Sequence, residues 1–142
     1  MRIRDVLRSK GHDVVTVPTP VSVSDALSVM VEHEIGAVVV VDGEGAPVGI
    51  LSERDILRLL SRNAEALGHT AVGEVMSAEL IVGLESDDLE YVMEVMTRNR
   101  VRHLPIVEES AVTGIVSIGD VVNALRSHVE AENRYLRQYI TG

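Results

Sequence analysis

Two Ser-x-x-Asp pairs have the residue types and spacing that could do chemistry: Ser52 with Asp55, and Ser117 with Asp120. One interpretation is structural. A serine that begins a helix, with an acidic residue three positions later, satisfies two backbone N–H groups in a capping box. The other interpretation is binding. A carboxylate accepts two hydrogen bonds at once, so Asp55 or Asp120 can hold two neighbouring hydroxyls of a ligand, with the serine hydroxyl beside them.

Both pairs lie in a longer segment that occurs twice. The segment Gly49-Ile-Leu-Ser-Glu-Arg-Asp-Ile56 returns as Gly114-Ile-Val-Ser-Ile-Gly-Asp-Val121, displaced by 65 residues. A period of this length indicates two copies of one supersecondary unit. Two such copies can pack about a pseudo-two-fold axis and form paired clefts between them, and the function is expected in those clefts.

The hydrophobic pattern predicts a strand, a helix, two strands and a second helix in each copy. The predicted strands are residues 14–17, 37–41 and 48–51 in the first copy, and 104–107 and 112–116 in the second, where residues 80–81 take the place of the first strand. The predicted helices start at Ser22 or Ser24, cover residues 55–62, repeat around residues 89–96, and run from residue 120 toward residue 139.

Three segments are predicted along the chain: a first copy with an N-terminal helix over residues 1–65, a second copy over 66–127, and a C-terminal helix over 128–142. Residues 63–70 are interpreted as the linker. The last helix carries an apolar stripe that predicts docking on a partner helix, although the run is too short for a coiled coil. That stripe contains Val122, Leu125, Val129 and Leu136.

Composition limits the function. The chain has 142 residues, a formal net charge of −9, and no Cys, Phe or Trp. Such an acidic chain is not expected to bind nucleic acid or an anionic membrane surface. Without cysteine it has no disulfides or thiolate chemistry. No apolar stretch resembles a secretion signal or a membrane span, so we expect a cytoplasmic protein with an aliphatic core.

No familiar catalytic motif is present, and we expect no catalytic residues and no metal site. Neither a P-loop nor a G-x-G-x-x-G stretch occurs. The histidines are scattered without metal-ligand spacing, and no Ser/His/Asp set can be assembled. They are His12, His33, His69, His103 and His128.

The repeated pattern resembles a tandem pair of CBS (cystathionine-β-synthase) domains, a Bateman module of the small stand-alone bacterial type. The resemblance rests on the two Ser-x-x-Asp segments and on further stretches in the same order. These are residues 4–7, 13–18, 35–42, 74–76 and 100–107. It implies an α/β (α+β) fold of two β-α-β-β-α repeats related by pseudo-two-fold symmetry, with a longer C-terminal helix.

The resemblance also implies a function. CBS pairs bind adenine nucleotides such as AMP, ADP, ATP, S-adenosylmethionine or NAD-type dinucleotides, regulate an attached domain or a separate partner, and commonly form homodimers. We therefore expect a non-enzymatic sensor with no catalytic cofactor, whose ligand changes the angle between the repeats. Two alternatives stay open: a constitutive structural dimer with unoccupied clefts, and a small-molecule enzyme that uses the same cleft.

The family's site positions can be carried over residue by residue. The resemblance implies ribose contacts by Ser52, Asp55, Ser117 and Asp120. It implies adenine contacts by Val14, Val15, Ile35, Leu80, Ile81 and Val101. The candidates for phosphate are Lys10, Gly11, Gly36, Ala37, Arg54, Arg102 and His103.

The two copies are not equivalent around these positions. Arg102 and His103 align with Gly36 and Ala37, so the copies offer different numbers of cations. By pseudo-symmetry, the site that uses Asp55 should draw residues 78–81 and 101–103, and the site that uses Asp120 should draw residues 10–15 and 35–37. We therefore expect the Asp55 site to hold phosphate more tightly.

Overall fold

Six α-helices and five strands follow one another along residues 1–141, the part of the chain that this computed structural model describes. In chain order they are α1 (Ile3–Lys10), β1 (Thr16–Pro18), α2 (Val23–Glu32), β2 (Ala37–Val41), β3 (Pro47–Ser52), α3 (Glu53–Arg62), α4 (Val72–Val75), α5 (Leu89–Asn99), β4 (His103–Glu108), β5 (Ala111–Ser117) and α6 (Ile118–Thr141). A 3₁₀ turn at Ala66–Gly68 lies within the predicted linker.

The predicted order of elements is confirmed except for the first strand of the second copy, and two helix starts differ from the prediction for a local reason. Helices α3 and α6 begin at Glu53 and Ile118, two residues before the predicted starts. Each serine is the last extended residue and each aspartate is the third helical one, so the helix starts directly after the serine. Ser22 caps α2, since its side chain accepts a hydrogen bond from the Asp25 N–H at 3.0 Å.

The first strand is much weaker in the second repeat than in the first. In the first repeat, β1 pairs in parallel with β2, which pairs antiparallel with β3. In the second repeat, β4 and β5 form a two-stranded sheet, and a single parallel bridge from Gly83 to Ile106 takes the place of β1. Residues 80–81 are therefore not a strand, which corrects the expectation for that segment.

The chain divides into two compact units. We call residues 14–81 with 109–112 the first-repeat unit, and residues 1–13, 82–108 and 113–141 the second-repeat unit. Seven buried residues of each unit occupy matching sequence positions. In the first-repeat unit these are Val23, Ala26, Met30, Val38, Val40, Leu51 and Ile56; in the second they are Leu89, Val92, Met96, Leu104, Ile106, Val116 and Val121. The duplication therefore extends to the cores, which are aliphatic as predicted.

The segment that precedes the first repeat packs within the second-repeat unit. The Ile3 N–H donates to the Asp87 carbonyl at 3.0 Å, and the Leu89 N–H donates to the Met1 carbonyl at 3.1 Å. Both bonds join the start of α1 to the start of α5. Residues 1–13 thus belong by contacts to the second repeat, although they precede the first repeat in the chain.

The segment that precedes the second repeat makes the same bonds within the first-repeat unit. The Val72 N–H donates to the Val21 carbonyl at 2.8 Å, and the Val23 N–H donates to the Thr70 carbonyl at 2.9 Å. Helix α4 is therefore joined to the start of α2 by the same backbone bonds that join α1 to the start of α5. The leading segments are exchanged between the repeats, so neither repeat is complete without the other's leading helix.

The exchange explains the glycine that opens each repeated segment. A Cβ on Gly114 would lie 2.7 Å from a methyl carbon of Leu7, and a Cβ on Gly49 would overlap the sulfur of Met76 and lie 2.8 Å from the Ser77 carbonyl. Leu7 and Met76 are the equivalent residues of the two leading helices. Glycine is needed here because of close approach, not because of an unusual backbone angle.

Helix α6 extends 24 residues and keeps much of its length in solvent. Several of its large apolar side chains are exposed, among them Val122, Val129, Leu136 and Tyr139. Three residues of the predicted apolar stripe, Val122, Val129 and Leu136, are thus exposed in the single chain. Across residues 1–141, no helix combines the length and the apolar character needed to cross a membrane.

We predict that Gly114→Ala and Gly49→Ala destabilise the fold by about 1 to 3 kcal/mol each, because the added methyl group over-packs a filled contact. Urea unfolding measures the free energy. Gly43→Ala is the control, since a Cβ there meets nothing within 4 Å. Equal stability of all three variants would show that the leading segments are not closely packed against Gly49 and Gly114.

Candidate functional site

The Ser52–Asp55 pair forms the junction between β3 and α3. The Ser52 N–H donates to Asp55 Oδ2 at 2.8 Å, and the Ser52 hydroxyl donates to the same oxygen at 3.0 Å. Both residues are half-buried. The carboxylate is therefore fixed in one direction, which is what the capping interpretation predicts and what a binding site also needs.

The Ser117–Asp120 pair repeats this junction between β5 and α6. The Ser117 N–H donates to Asp120 Oδ2 at 2.8 Å, and the Asp120 N–H donates to the Ser117 hydroxyl oxygen at 3.0 Å. These reciprocal bonds are a complete capping box. The same reciprocal arrangement is present at Ser52 and Asp55, so both repeats carry a capping box.

The Asp120 carboxylate has an additional cationic partner. Lys10 Nζ lies 2.5 Å from Asp120 Oδ2 and 2.9 Å from the Ile115 carbonyl oxygen. Lys10, the only lysine in the sequence, stands at the end of α1, so the exchanged leading helix delivers this cation. The sequence placed Lys10 among the phosphate candidates, and the structure shows it paired with the ribose candidate Asp120.

The pKa of Asp120 reflects these partners. Burial raises the pKa of the carboxyl, but the hydrogen bond and charge of Lys10, together with the hydrogen bonds of Ser117, outweigh burial and hold the pKa below its ordinary value of 3.8. The ionised form is the stabilised one, so Asp120 is ready to accept hydrogen bonds at neutral pH.

The matching carbonyl in the first repeat has a different partner. Ile50 corresponds to Ile115, and its carbonyl accepts from the Ser77 N–H at 2.9 Å, while its own N–H donates to the Ser77 carbonyl at 3.0 Å. The chain after α4 therefore continues as a strand-like partner of β3. Helix α1 instead continues for about one further turn, to Lys10. At the Ile115 carbonyl, the Lys10 side chain takes the place of the backbone donor.

Two of the phosphate candidates accept a hydrogen bond, through their backbone carbonyls, from the first residue of α3 or α6. The Gly36 carbonyl accepts from the Glu53 N–H at 3.1 Å, and the Arg102 carbonyl accepts from the Ile118 N–H at 2.8 Å. The structure thus brings Arg102 to the helix that carries Asp120, in its own repeat. The predicted grouping of residues 101–103 with Asp55 stays a prediction.

The other phosphate candidates differ in exposure. Arg54 and Arg102 are exposed, and His103 is half-buried. Ala37 is buried, so only its backbone could meet a ligand. Gly11 is exposed just after α1 with φ of 106°, a conformation that favours glycine. The cations are therefore accessible, as phosphate binding would require.

The adenine candidates share one property. They are half-buried, neither in the core nor fully in solvent: Val14, Val15, Ile35, Leu80, Ile81 and Val101. Ile35 and Val101 hold equivalent places after α2 and α5, where their N–H groups donate to the Met30 and Met96 carbonyls, each at 3.0 Å. Each of these aliphatic side chains therefore keeps part of its apolar surface accessible.

Sequence reasoning missed the Lys10–Asp120 pair and the Ile115 carbonyl. One signal was available. Residues 4–7 and 74–76 are similar, and they are displaced by 69 rather than 66 residues. The similarity shows that the segment leading into each repeat is duplicated as well. It does not indicate with which repeat each leading segment packs.

The depressed pKa predicts an acid dependence of stability. Asp120 stabilises the fold above its unfolded pKa, and this contribution is lost as the pH falls through the lower folded value. We therefore expect the free-energy advantage of the unaltered protein over Asp120→Asn to shrink from about pH 5 downward, as the pH falls through the ordinary value of 3.8 toward the lower folded value.

Urea unfolding across that range measures the advantage. In a Lys10→Met background, the carboxylate has lost its cation, and the same comparison should give a flatter profile. An advantage that stays constant with pH in the unaltered protein would contradict the account.

Comparison with known proteins adds an independent finding. The sequence profile of the CBS domain matches residues 3–62 and again residues 72–127. The chain is 38% identical to the mitochondrial CBS domain-containing protein CBSX3 of Arabidopsis thaliana, over 99% of this chain and 72% of that protein.

Solved structures match as well. A CBS-domain-containing protein from Agrobacterium tumefaciens superposes with a TM-score of 0.84 at 38% identity, covering 87% of this chain and 98% of that one. The CBS domain pair of protein MJ0100, in complex with 5′-methylthioadenosine and S-adenosyl-L-methionine, gives a TM-score of 0.80 at 23% identity, covering 90% of this chain and 98% of that one. At that identity the likeness shows the fold alone.

Proposed function

The chain is a tandem pair of CBS domains and belongs to the CBS domain family, and we propose that it binds adenine nucleotides and signals their presence to a partner protein. The observation that carries the proposal is the duplicated capping box. It leaves one oriented, half-buried carboxylate at the start of α3 and another at the start of α6. AMP, ATP and NAD-type dinucleotides are the proposed ligands.

The proposed contact is a carboxylate with the two ribose hydroxyls. Backbone N–H groups already hold Oδ2 of Asp55 and Asp120, at 2.8 Å in both cases. The carboxylates therefore need little reorganisation when a diol arrives, which favours affinity. The occurrence of two adenosine-containing molecules in a protein of the same fold supports this ligand class.

The remaining contacts follow the chemistry of the nucleotide. The half-buried aliphatic candidates, such as Val15 and Leu80, would enclose the purine, while backbone groups read its edge. The exposed guanidinium groups of Arg54 and Arg102 would meet the phosphates, since arginine pairs with phosphate in a planar, two-bond geometry.

The two sites are proposed to differ in affinity. A ligand at Asp120 has to compete with Lys10 for Oδ2, whereas the hydrogen bonds of Asp55 Oδ2 come from the neutral N–H and hydroxyl of Ser52. This supports the expectation that the Asp55 site is the tighter one.

We propose a regulatory role without catalysis. The two profile matches together cover most of the chain and describe CBS domains. Signalling through a change in the angle between repeats and a cytoplasmic location are parts of the same proposal. The Arabidopsis relative is named as mitochondrial, so compartment varies among similar chains.

We predict that AMP or ATP at ten to a hundred times its dissociation constant raises the free energy of unfolding by about 1 to 3 kcal/mol. Asp55→Ala should remove more of this gain than Asp120→Ala, because the Asp55 site is the tighter one. Thermal melts with AMP, ATP and NADH measure the shift, with GMP as the control for the base.

No shift with any adenine nucleotide at millimolar concentration would reject the sensor and favour a constitutive structural dimer. Equal losses in the two variants would reject the proposed asymmetry. Conversion of ATP or NADH during incubation would instead favour an enzyme.

We also propose a homodimer in which α6 meets a second copy of the chain. Val122, Val129 and Leu136 repeat at seven-residue spacing and are 47%, 52% and 53% exposed. An apolar stripe on a surface helix is costly unless another surface covers it. Seven-residue spacing suits a partner helix that crosses at a shallow angle.

We predict that Val129→Glu with Leu136→Glu makes the protein monomeric, because two charges would have to be buried in the interface. Light scattering with size-exclusion chromatography measures the mass. Gln138→Glu is the control, since it adds the same charge on the opposite face of α6. A dimer that survives the double substitution would place the interface elsewhere.

A further inference from the structure

The aspartates of the two capping boxes differ in the donors that bind them. Asp120 Oδ2 lies 2.5 Å from the Lys10 ammonium, and that ammonium also donates to the Ile115 carbonyl at 2.9 Å. In the first repeat, the carbonyl of Ile50 is satisfied by the Ser77 backbone, and Asp55 Oδ2 accepts from neutral donors. A cation therefore stands in one proposed ribose site and not at the equivalent oxygen of the other.

This placement gives Asp120 two competing partners. Ribose hydroxyls that approach its carboxylate meet an oxygen already bound by a charged donor, and charge-assisted bonds are about twice as strong as neutral ones. If Lys10 leaves Asp120, its ammonium keeps only the Ile115 carbonyl and needs another anionic acceptor. A phosphate group provides one, and an uncharged nucleoside does not.

We infer that Lys10 makes the Asp120 site selective for phosphate-bearing nucleotides over uncharged nucleosides. The inference deepens the proposed function and rests on it. Lys10 would exchange the Asp120 carboxylate for the ligand's phosphate as the ribose takes its place. With adenosine the exchange leaves the ammonium poorly paired, so adenosine competes badly for Asp120.

The charge of the chain strengthens this effect. With a formal net charge of −9, the protein repels a doubly charged phosphate, so each cation near a site counts. Lys10 is 38% exposed and Asp120 is 28% exposed by side-chain area, so the pair is accessible enough for a ligand to separate it. The Asp55 site has no ammonium to displace from its aspartate and should discriminate less between AMP and adenosine.

The first test observes the pair directly. Because the sequence contains one lysine, protein labelled with ¹³C and ¹⁵N in lysine gives a single side-chain ammonium signal. We expect that signal to move in Asp120→Asn and to stay in Asp55→Asn. Saturating AMP should move it in the unaltered protein. An ammonium signal that is the same in Asp120→Asn as in the unaltered protein would overturn the inference.

The second test measures selectivity by calorimetry in the Asp55→Asn background, which isolates the Asp120 site. We expect AMP to bind at least about tenfold more tightly than adenosine there. Lys10→Met should bring this ratio close to one, chiefly by releasing Asp120 for adenosine. Lys10→Arg should retain much of the ratio.

Arg8→Met is the matched control. Arg8 lies two residues before Lys10 on α1, is 76% exposed by side-chain area and is paired with Asp5 rather than Asp120. Removing this cation should leave the ratio within about twofold, since exposed charges are screened by solvent and salt.

The outcomes separate the inference from the function on which it rests. If Lys10→Met leaves the ratio of AMP to adenosine affinity unchanged, the inference is wrong while nucleotide binding stands. If Arg8→Met lowers the ratio as much as Lys10→Met, general charge rather than Lys10 sets it, and the inference is again wrong. If neither ligand binds the unaltered protein, the proposed function fails as well.

Discussion

The hydrogen bond from a serine N–H to the carboxylate three residues later is the constraint on which the rest depends. It occurs at Ser52–Asp55 and Ser117–Asp120, with the same length of 2.8 Å. It ends a strand, starts a helix and holds one carboxylate oxygen in a fixed direction. Because one bond serves both helix capping and the orientation of the acid, the structural and the binding interpretations do not compete. The cap is what makes the carboxylate a prepared acceptor.

The exchange of leading helices explains how two repeats with matching cores come to have different sites. Helices α1 and α4 are bound to the repeats by equivalent backbone bonds, for example from Ile3 to Asp87 and from Val72 to Val21. Past this shared part they diverge. Helix α1 continues to Lys10 and brings an ammonium to Asp120, whereas the chain after α4 turns into a strand-like segment. The leading segments thus give the two capping boxes different surroundings.

Much of the fold could be predicted from the sequence, because local patterns determine it. The boundaries of β2 and the cap at Ser22 follow from a run of β-branched residues and from a good capping residue. The Lys10–Asp120 contact could not be predicted, since its partners are 110 residues apart and periodicity reports which face is buried, not what covers it. The same reason hid the exchange of the leading helices. The weak first strand of the second repeat was missed because residues 80–81 are apolar without pairing as a strand.

The central claim is that Asp55 and Asp120 hold the two hydroxyls of a ribose. Calorimetry that compares AMP with its 2′,3′-dideoxy analogue tests it most directly, because the two ligands share base and phosphate. The analogue should bind the unaltered protein at least about tenfold more weakly, since a half-buried carboxylate that loses its hydrogen-bond donors is costly. The Asp55→Asn, Asp120→Asn double variant should bind both ligands equally and weakly. Equal affinity of AMP and its analogue for the unaltered protein would contradict the account.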